Sequence, residues 1–296
     1  MAIQRMTQNM MIERSYVSLQ TVSGRLNKTQ EHLTTGRVLN RPSDSPTDTS
    51  SAMRLRASIA EENQYQRNAQ DGLGWLGQID STLTTALDQL REARDAGIQG
   101  RNGVNLGSQA REALAVQVEQ LRESLVGVAN TTYLGRPVFG GVTNGTAAYD
   151  ASGTFVGAAA DVTRSIAKDV KVPVNVNGAE VFGPDGDSLF DNLSTLANAL
   201  RAGDSDGIGT ALGLLDTAQT RMTSALTDVG TRYARVERAM VAAEDSSLSL
   251  TTALSDLEEV DVARATIDLS AQEVAYKAAM AATARLVQPS LADFLR

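Results

Sequence analysis

A few small clusters in this 296-residue chain hold residue types that could do chemistry. Gly72, Gly74 and Gly77 form the frame G-x-G-x-x-G. In a dinucleotide site such glycines let a pyrophosphate approach the backbone at a helix start, and Glu92 stands at the spacing of a ribose-binding acid. That chemistry needs a strand ahead of the loop. Here Asn63 to Gln70 is polar and helix-forming, and the apolar spacing runs through the glycines. The run reads instead as small residues that allow close helix contact or a local bend. Asp204-Ser205-Asp206-Gly207 and Pro184-Asp185-Gly186-Asp187 offer carboxylates to calcium, but neither has the D-x-[DN]-x-[DN]-G frame with a late glutamate. Both read as turns and helix caps. Glu258, Glu259 and Asp261 read as a solvated acidic face, and His32 as a plain surface or contact histidine. No catalytic, cofactor-binding or metal-binding residue is assigned.

Composition narrows the classes further. The chain has no cysteine and one histidine, which removes disulfides, thiol catalysis and histidine metal clusters. A net charge of -8 argues against nonspecific binding to nucleic acid or an anionic membrane. No run of eighteen apolar residues marks a membrane span. The first residues lack the charged-then-apolar pattern of a cleaved signal peptide, so a cytoplasmic chain is expected unless a dedicated apparatus exports it. Aromatics are only 4% of residues, which leaves Leu, Val, Met and Ala to build cores suited to close helix packing.

The elements that would position any site are long helices. Met222, Leu226, Val229, Tyr233, Val236, Met240, Ala243, Ser247, Leu250, Leu254 and Leu257 alternate steps of four and three, the seam of a supercoiled helix. A continuous helix from Asp206 to Leu286 would reach about 120 Å. Near Glu258 to Asp261 the register slips and Val260, Ile267 and Val274 are expected to take over the stripe, which marks a change of winding or a domain joint. At the other end, Ile12, Ser15, Leu19, Val22, Leu26, Thr29 and Leu33 keep the same alternation in a helix from Ile3 to Thr35, stopped by Gly36. Ser45, Pro46 and Asp48 read as the cap, first residue and acidic partner of a second helix running to Gln99. Gly100 to Gly107 reads as a turn, and Leu114, Val118, Leu121, Leu125 and Val128 stripe a third helix ending near Asn130. Residues 135–186 then hold nine of the 24 glycines. There Val170, Val172, Val174 and Val176 alternate as a strand, and Asn177-Gly178 predicts a hairpin into Ala179–Phe182. Leu189, Leu193, Leu196 and Leu200 line a short helix before the last long one. The expected fold is mainly α: an elongated antiparallel helical bundle and coiled coil from both chain ends, with a small β-rich domain inserted. The expected parts are 1–44 with 258–296, 45–134 with 187–257, and 135–186. The two end segments are expected to be loosely ordered alone and to fold with neighbours.

Thr34-Thr35-Gly36-Arg37-Val38-Leu39-Asn40-Arg41-Pro42-Ser43-Asp44-Ser45-Pro46 closely resembles the N-terminal signature of the hook–filament junction branch of the flagellin superfamily. Asn130 to Gly141 is similar to that family's helix-to-β transition, and Asp261 to Arg296 to the C-terminal region of flagellin-type axial proteins. True flagellins usually lack the Pro42–Pro46 pair. The resemblance implies a non-enzymatic component of the bacterial flagellum, exported unfolded through the flagellar type III channel with a cytosolic chaperone. It implies a junction layer between the first hook-associated protein and the flagellin filament, with copies of this chain as further partners. By position it implies assembly contacts at Ile3, Met6, Met10, Val17, Val274, Leu286, Val287, Leu291 and Phe294. It also implies an inter-domain joint at Leu33, Val38, Leu39, Arg41, Pro42 and Asp44. A filament-forming flagellin and a cytoplasmic coiled-coil scaffold are the alternatives.

Overall fold

A computed structural model describes the backbone of residues 2–103, 107–143 and 145–294, and side chains within those ranges at 10 and over 13–284. Helices dominate: α1 (Ala2–Thr35), α2 (Pro46–Asn102), α3 (Ser108–Ala129), a one-turn α4 (Gly178–Phe182), α5 (Leu189–Ala202), α6 (Ser205–Glu258) and α7 (Val262–Phe294). Between α3 and α4 lie two antiparallel pairs, β1 (Thr132–Tyr133) with β2 (Arg136–Pro137), and β3 (Thr163–Ala167) with β4 (Val170–Pro173). The chain is mainly α with a small β-rich insertion, the class its helical spacing implies.

The helix ends follow local chemistry. Gly36 closes α1 at φ +70°, a left-handed position that costs glycine nothing. The Ser45 hydroxyl accepts from Asp48 N at 3.4 Å, and Pro46 opens α2. Ser188 and Asp191 form a reciprocal capping box on α5, a start the sequence reading does not specify.

Three expectations fail for physical reasons. The last helix is not continuous: α6 stops at Glu258 and α7 restarts at Val262. Backbone groups there turn sideways, with Val38 N donating to Glu258 O at 2.7 Å and Val260 N to Gly36 O at 3.0 Å. Second, α2 runs past Gln99 through Gly100, because a Cβ at Gly100 would collide with Leu200 and the glycine is there for packing. The rest of the expected turn, at 104–106, lies outside the described residues. Third, Asn177-Gly178 is not a hairpin turn. Asn177 Oδ1 accepts from Ala179 N at 3.1 Å and caps α4, while β4 pairs backwards with β3 across Lys168-Asp169.

The chain divides into two compact units, Met1–Ala60 with Leu248–Arg296, and Glu61–Ser247. The second unit holds the core. Leu76, Ile79, Leu83 and Leu90 of α2, Val118 and Leu125 of α3, Leu193 and Leu196 of α5, and Leu215, Met222, Val229 and Val236 of α6 are buried. An aromatic cluster of Phe139, Tyr149, Phe182 and Phe190 joins the insertion to it, with ring centroids 5.1–5.7 Å apart. The glycine run belongs to this packing. Gly72 to Gly77 sits inside α2, where a Cβ on Gly74 would run into the Tyr133 ring and one on Gly72 would meet Val174 at 3.2 Å and Val236 at 3.6 Å. The dinucleotide geometry needs a strand and a fresh helix N-terminus at that point; the chain has neither there.

Candidate assembly surface

In the first unit α1 pairs with α7. Every described member of the expected α1 stripe, Ser15, Leu19, Val22, Leu26, Thr29 and Leu33, is half-buried, and none is fully buried. On α7 the matching line is Ala265, Leu269, Gln272, Tyr276, Ala279 and Thr283, again in steps of four and three. Thr29 Oγ1 donates to Gln272 Oε1 at 3.1 Å across the pair. The expected takeover by Ile267 and Val274 is therefore corrected. These two are 70% and 67% exposed and stand on the opposite face of α7. Apolar residues line both faces there, and the spacing of three and four fits either, so periodicity alone could not choose. Among the described residues of this unit, only Ala52, Glu258 and Ala265 are fully buried. No described apolar side chain of this unit larger than alanine is fully buried.

The turn between α1 and α2 is held by Asp44. Its carboxylate accepts from Arg41 N at 2.8 Å and Asn40 N at 3.2 Å, and Lys28 Nζ lies 3.5 Å away. The Arg41 hydrogen bond, with help from Asn40 and Lys28, holds the Asp44 carboxyl below the usual carboxylate range. Leu33 and Leu39 are half-buried, Val38 is exposed, Arg41 pairs with Glu31 at 3.3 Å, and Pro42 faces solvent. An isolated bridge joins Arg37 to Glu259. Glu258 corrects the reading of a wholly solvated acidic face: it is buried and paired with Arg56 at 2.8 Å, while Glu259 and Asp261 remain exposed. Arg56 and Glu258 were not legible as partners, because 202 residues separate them and neither sits in a motif. Met10, Val17 and Val274 are exposed within the chain. The side chains of Ile3, Met6, Leu286, Val287, Leu291 and Phe294 lie outside the described residues.

The site is thus a pair of helices that leaves apolar surface uncovered, anchored by a tight turn. It has the chemistry of an assembling element. Two family models match, the bacterial flagellin N-terminal helical region over residues 6–143 and the bacterial flagellin C-terminal helical region over residues 212–295. The chain is 25% identical over 255 residues to flagellar hook-associated protein 3 of Escherichia coli (strain K12), covering 86% of this chain and 76% of that one. Its fold is similar to a putative flagellar hook-associated protein from Vibrio parahaemolyticus, at TM-score 0.68 and 20% identity, over 73% of this chain and all of that one. It is also similar to the flagellar junction protein FlgL from Legionella pneumophila, at TM-score 0.59 and 16% identity, over 71% of this chain and 100% of that one. The two family models cover α1 from residue 6 through β2, and α6 from residue 212 through α7, and leave α4 and α5 outside both. The two flagellin regions together span most of the chain: it belongs to the flagellin superfamily and is a component of the bacterial flagellum.

Proposed function

We propose that the chain forms the junction layer between hook and filament and polymerises through the α1–α7 pair. The observation that carries this is the second apolar line on α7. Ile267 and Val274, seven residues apart, are 70% and 67% exposed on the face turned away from α1, and Val262 and Met280, at least half exposed, flank the seam. A helix apolar on two sides is suited to neighbours on two sides. Met10 and Val17 are likewise exposed on α1, and the family resemblance gives Ile3, Met6, Leu286, Val287, Leu291 and Phe294 the same assembly role. The names of relatives support the junction role: one is a hook-associated protein and another a junction protein.

On this reading the chain is a building block rather than a catalyst. The segments 1–44 and 258–296 serve as the terminal assembly part, 45–134 with 187–257 as the bundle, and 135–186 as the outer part. Its neighbours are the first hook-associated protein, flagellin and further copies of itself. It reaches them by type III export with a cytosolic chaperone, a route that suits a chain with no disulfide and thinly packed ends. A filament-subunit role is the alternative reading, and the two flagellin helical regions are compatible with it. A deletion strain separates them. A junction protein leaves hooks in place, loses filaments and releases flagellin into the medium. A strain that keeps its filaments, or a chain found along their whole length, rejects the junction role.

A further inference from the structure

The α1–α2 turn carries a feature that neither the seam nor the Asp44 clamp uses. Pro42, Pro46, Thr49, Met53 and Ala57 line an open, mostly apolar groove of about 450 Å³ at the start of α2. Met53 is 60% exposed above it. Its rim carries cations in a chain of net charge -8: Arg54 is exposed and bonds Ser51 Oγ at 3.1 Å, and the exposed Arg41, which pairs with Glu31, stands beside Pro42. The elbow between α6 and α7 has the opposite character. Glu259 and Asp261 are exposed, and Val262 is 60% exposed beside them. The Arg37–Glu259 bridge pins this elbow to the strand of chain that enters Pro42 five residues later. The groove is lined only by residues between 42 and 57, so the chain's own elbow does not fill it.

We propose that the groove of one copy receives the acidic elbow of the next copy. This rests on the polymer reading above. Val262 would cover Met53 and the two prolines, and Glu259 and Asp261 would face Arg54 and Arg41. Complementary charge selects the elbow over a second groove, because groove on groove would set arginine against arginine. The two patches differ, so the contact is heterologous and can repeat from copy to copy around a layer. Both flank the same turn of the first unit, which suits a lateral contact between neighbours at one level.

The absence of cysteine makes the test clean. A strain would express two forms of the full chain, Met53→Cys and Val262→Cys, and its purified flagella would be oxidised. Both positions are exposed, so neither variant disturbs a core. A disulfide needs Cα atoms within roughly 7 Å, so a mixed dimer reports direct contact. The expected result is a mixed disulfide dimer, weakened by Arg54→Glu and restored when Glu259→Arg is added. Flagella that contain both variants without the mixed dimer, or with Met53→Cys joined only to itself, overturn the contact and leave the junction role standing. Absence of the unmodified chain from purified flagella overturns the junction role, and the contact with it.

Discussion

At the residue scale, single side chains hold turns that whole helices depend on. Asp44 is depressed in pKa mainly by the Arg41 backbone N–H, so it stabilises the fold fully above its unfolded pKa of about 3.9. That stability is lost as pH falls through the lower folded value. Asp44→Asn should therefore lower the thermal midpoint at neutral pH and lessen its fall on acidification, measured by circular dichroism across that range. Gly74 has the Tyr133 ring where a side chain would go, and that ring packs at a tilt against Trp75, with centroids 5.3 Å apart. Gly74→Ala should destabilise the second unit by about 1–3 kcal/mol in urea unfolding, the usual cost of overpacking. Tyr149 is the opposite case. Its hydroxyl is buried with no hydrogen-bond partner among the described residues, and burial pushes its pKa up. Tyr149→Phe should leave stability unchanged or raise it by about 1 kcal/mol, since it removes a desolvated group; a clear loss would mean the hydroxyl has a partner in solution.

At the element scale, the two units differ in what holds their helices. α5 is fastened by its capping box and by Leu193 and Leu196 in a closed core. Ser188→Ala should cost about 0.5–2 kcal/mol, read from the same unfolding curves. Apart from Ala265, the described seam between α1 and α7 is only half-buried. Helix pairs with so little buried surface open locally far more often than core helices. Amide exchange on the free chain should thus be faster over 13–35 and 262–284 than over 75–96 and 208–236. Comparable protection in both sets would contradict the view that the ends rely on neighbours.

At the scale of the whole molecule, stability and assembly should separate. Val274 is exposed and touches no core, so Val274→Asp should leave the melting of the free chain nearly unchanged. The same change should sharply reduce incorporation into flagella, scored by immunoblot of purified appendages, because an unpaired carboxylate would be buried against a neighbour. Leu193→Ala should do the reverse in vitro, destabilising the free chain by about 2–5 kcal/mol. If both variants changed stability alike, α7 would have no separate outward role.

The sequence by itself determined the long helices, though not all of their ends, with boundaries right at Gly36, Pro46 and Asn130, and the flagellin-type signature from Thr34 to Pro46. These depend on local rules: seam spacing, cap chemistry and the fixed φ of proline. It also located the break near Glu258, as a slip in register, without showing that the helix ends there. Only the tertiary structure decided which face of α7 meets α1, because two apolar lines on one helix obey the same period. Only it paired Glu258 with Arg56, turned Asn177 from a hairpin signal into a cap, and put Tyr133 against Gly74. Each of those depends on which distant segment arrives beside a residue, and no local pattern carries that.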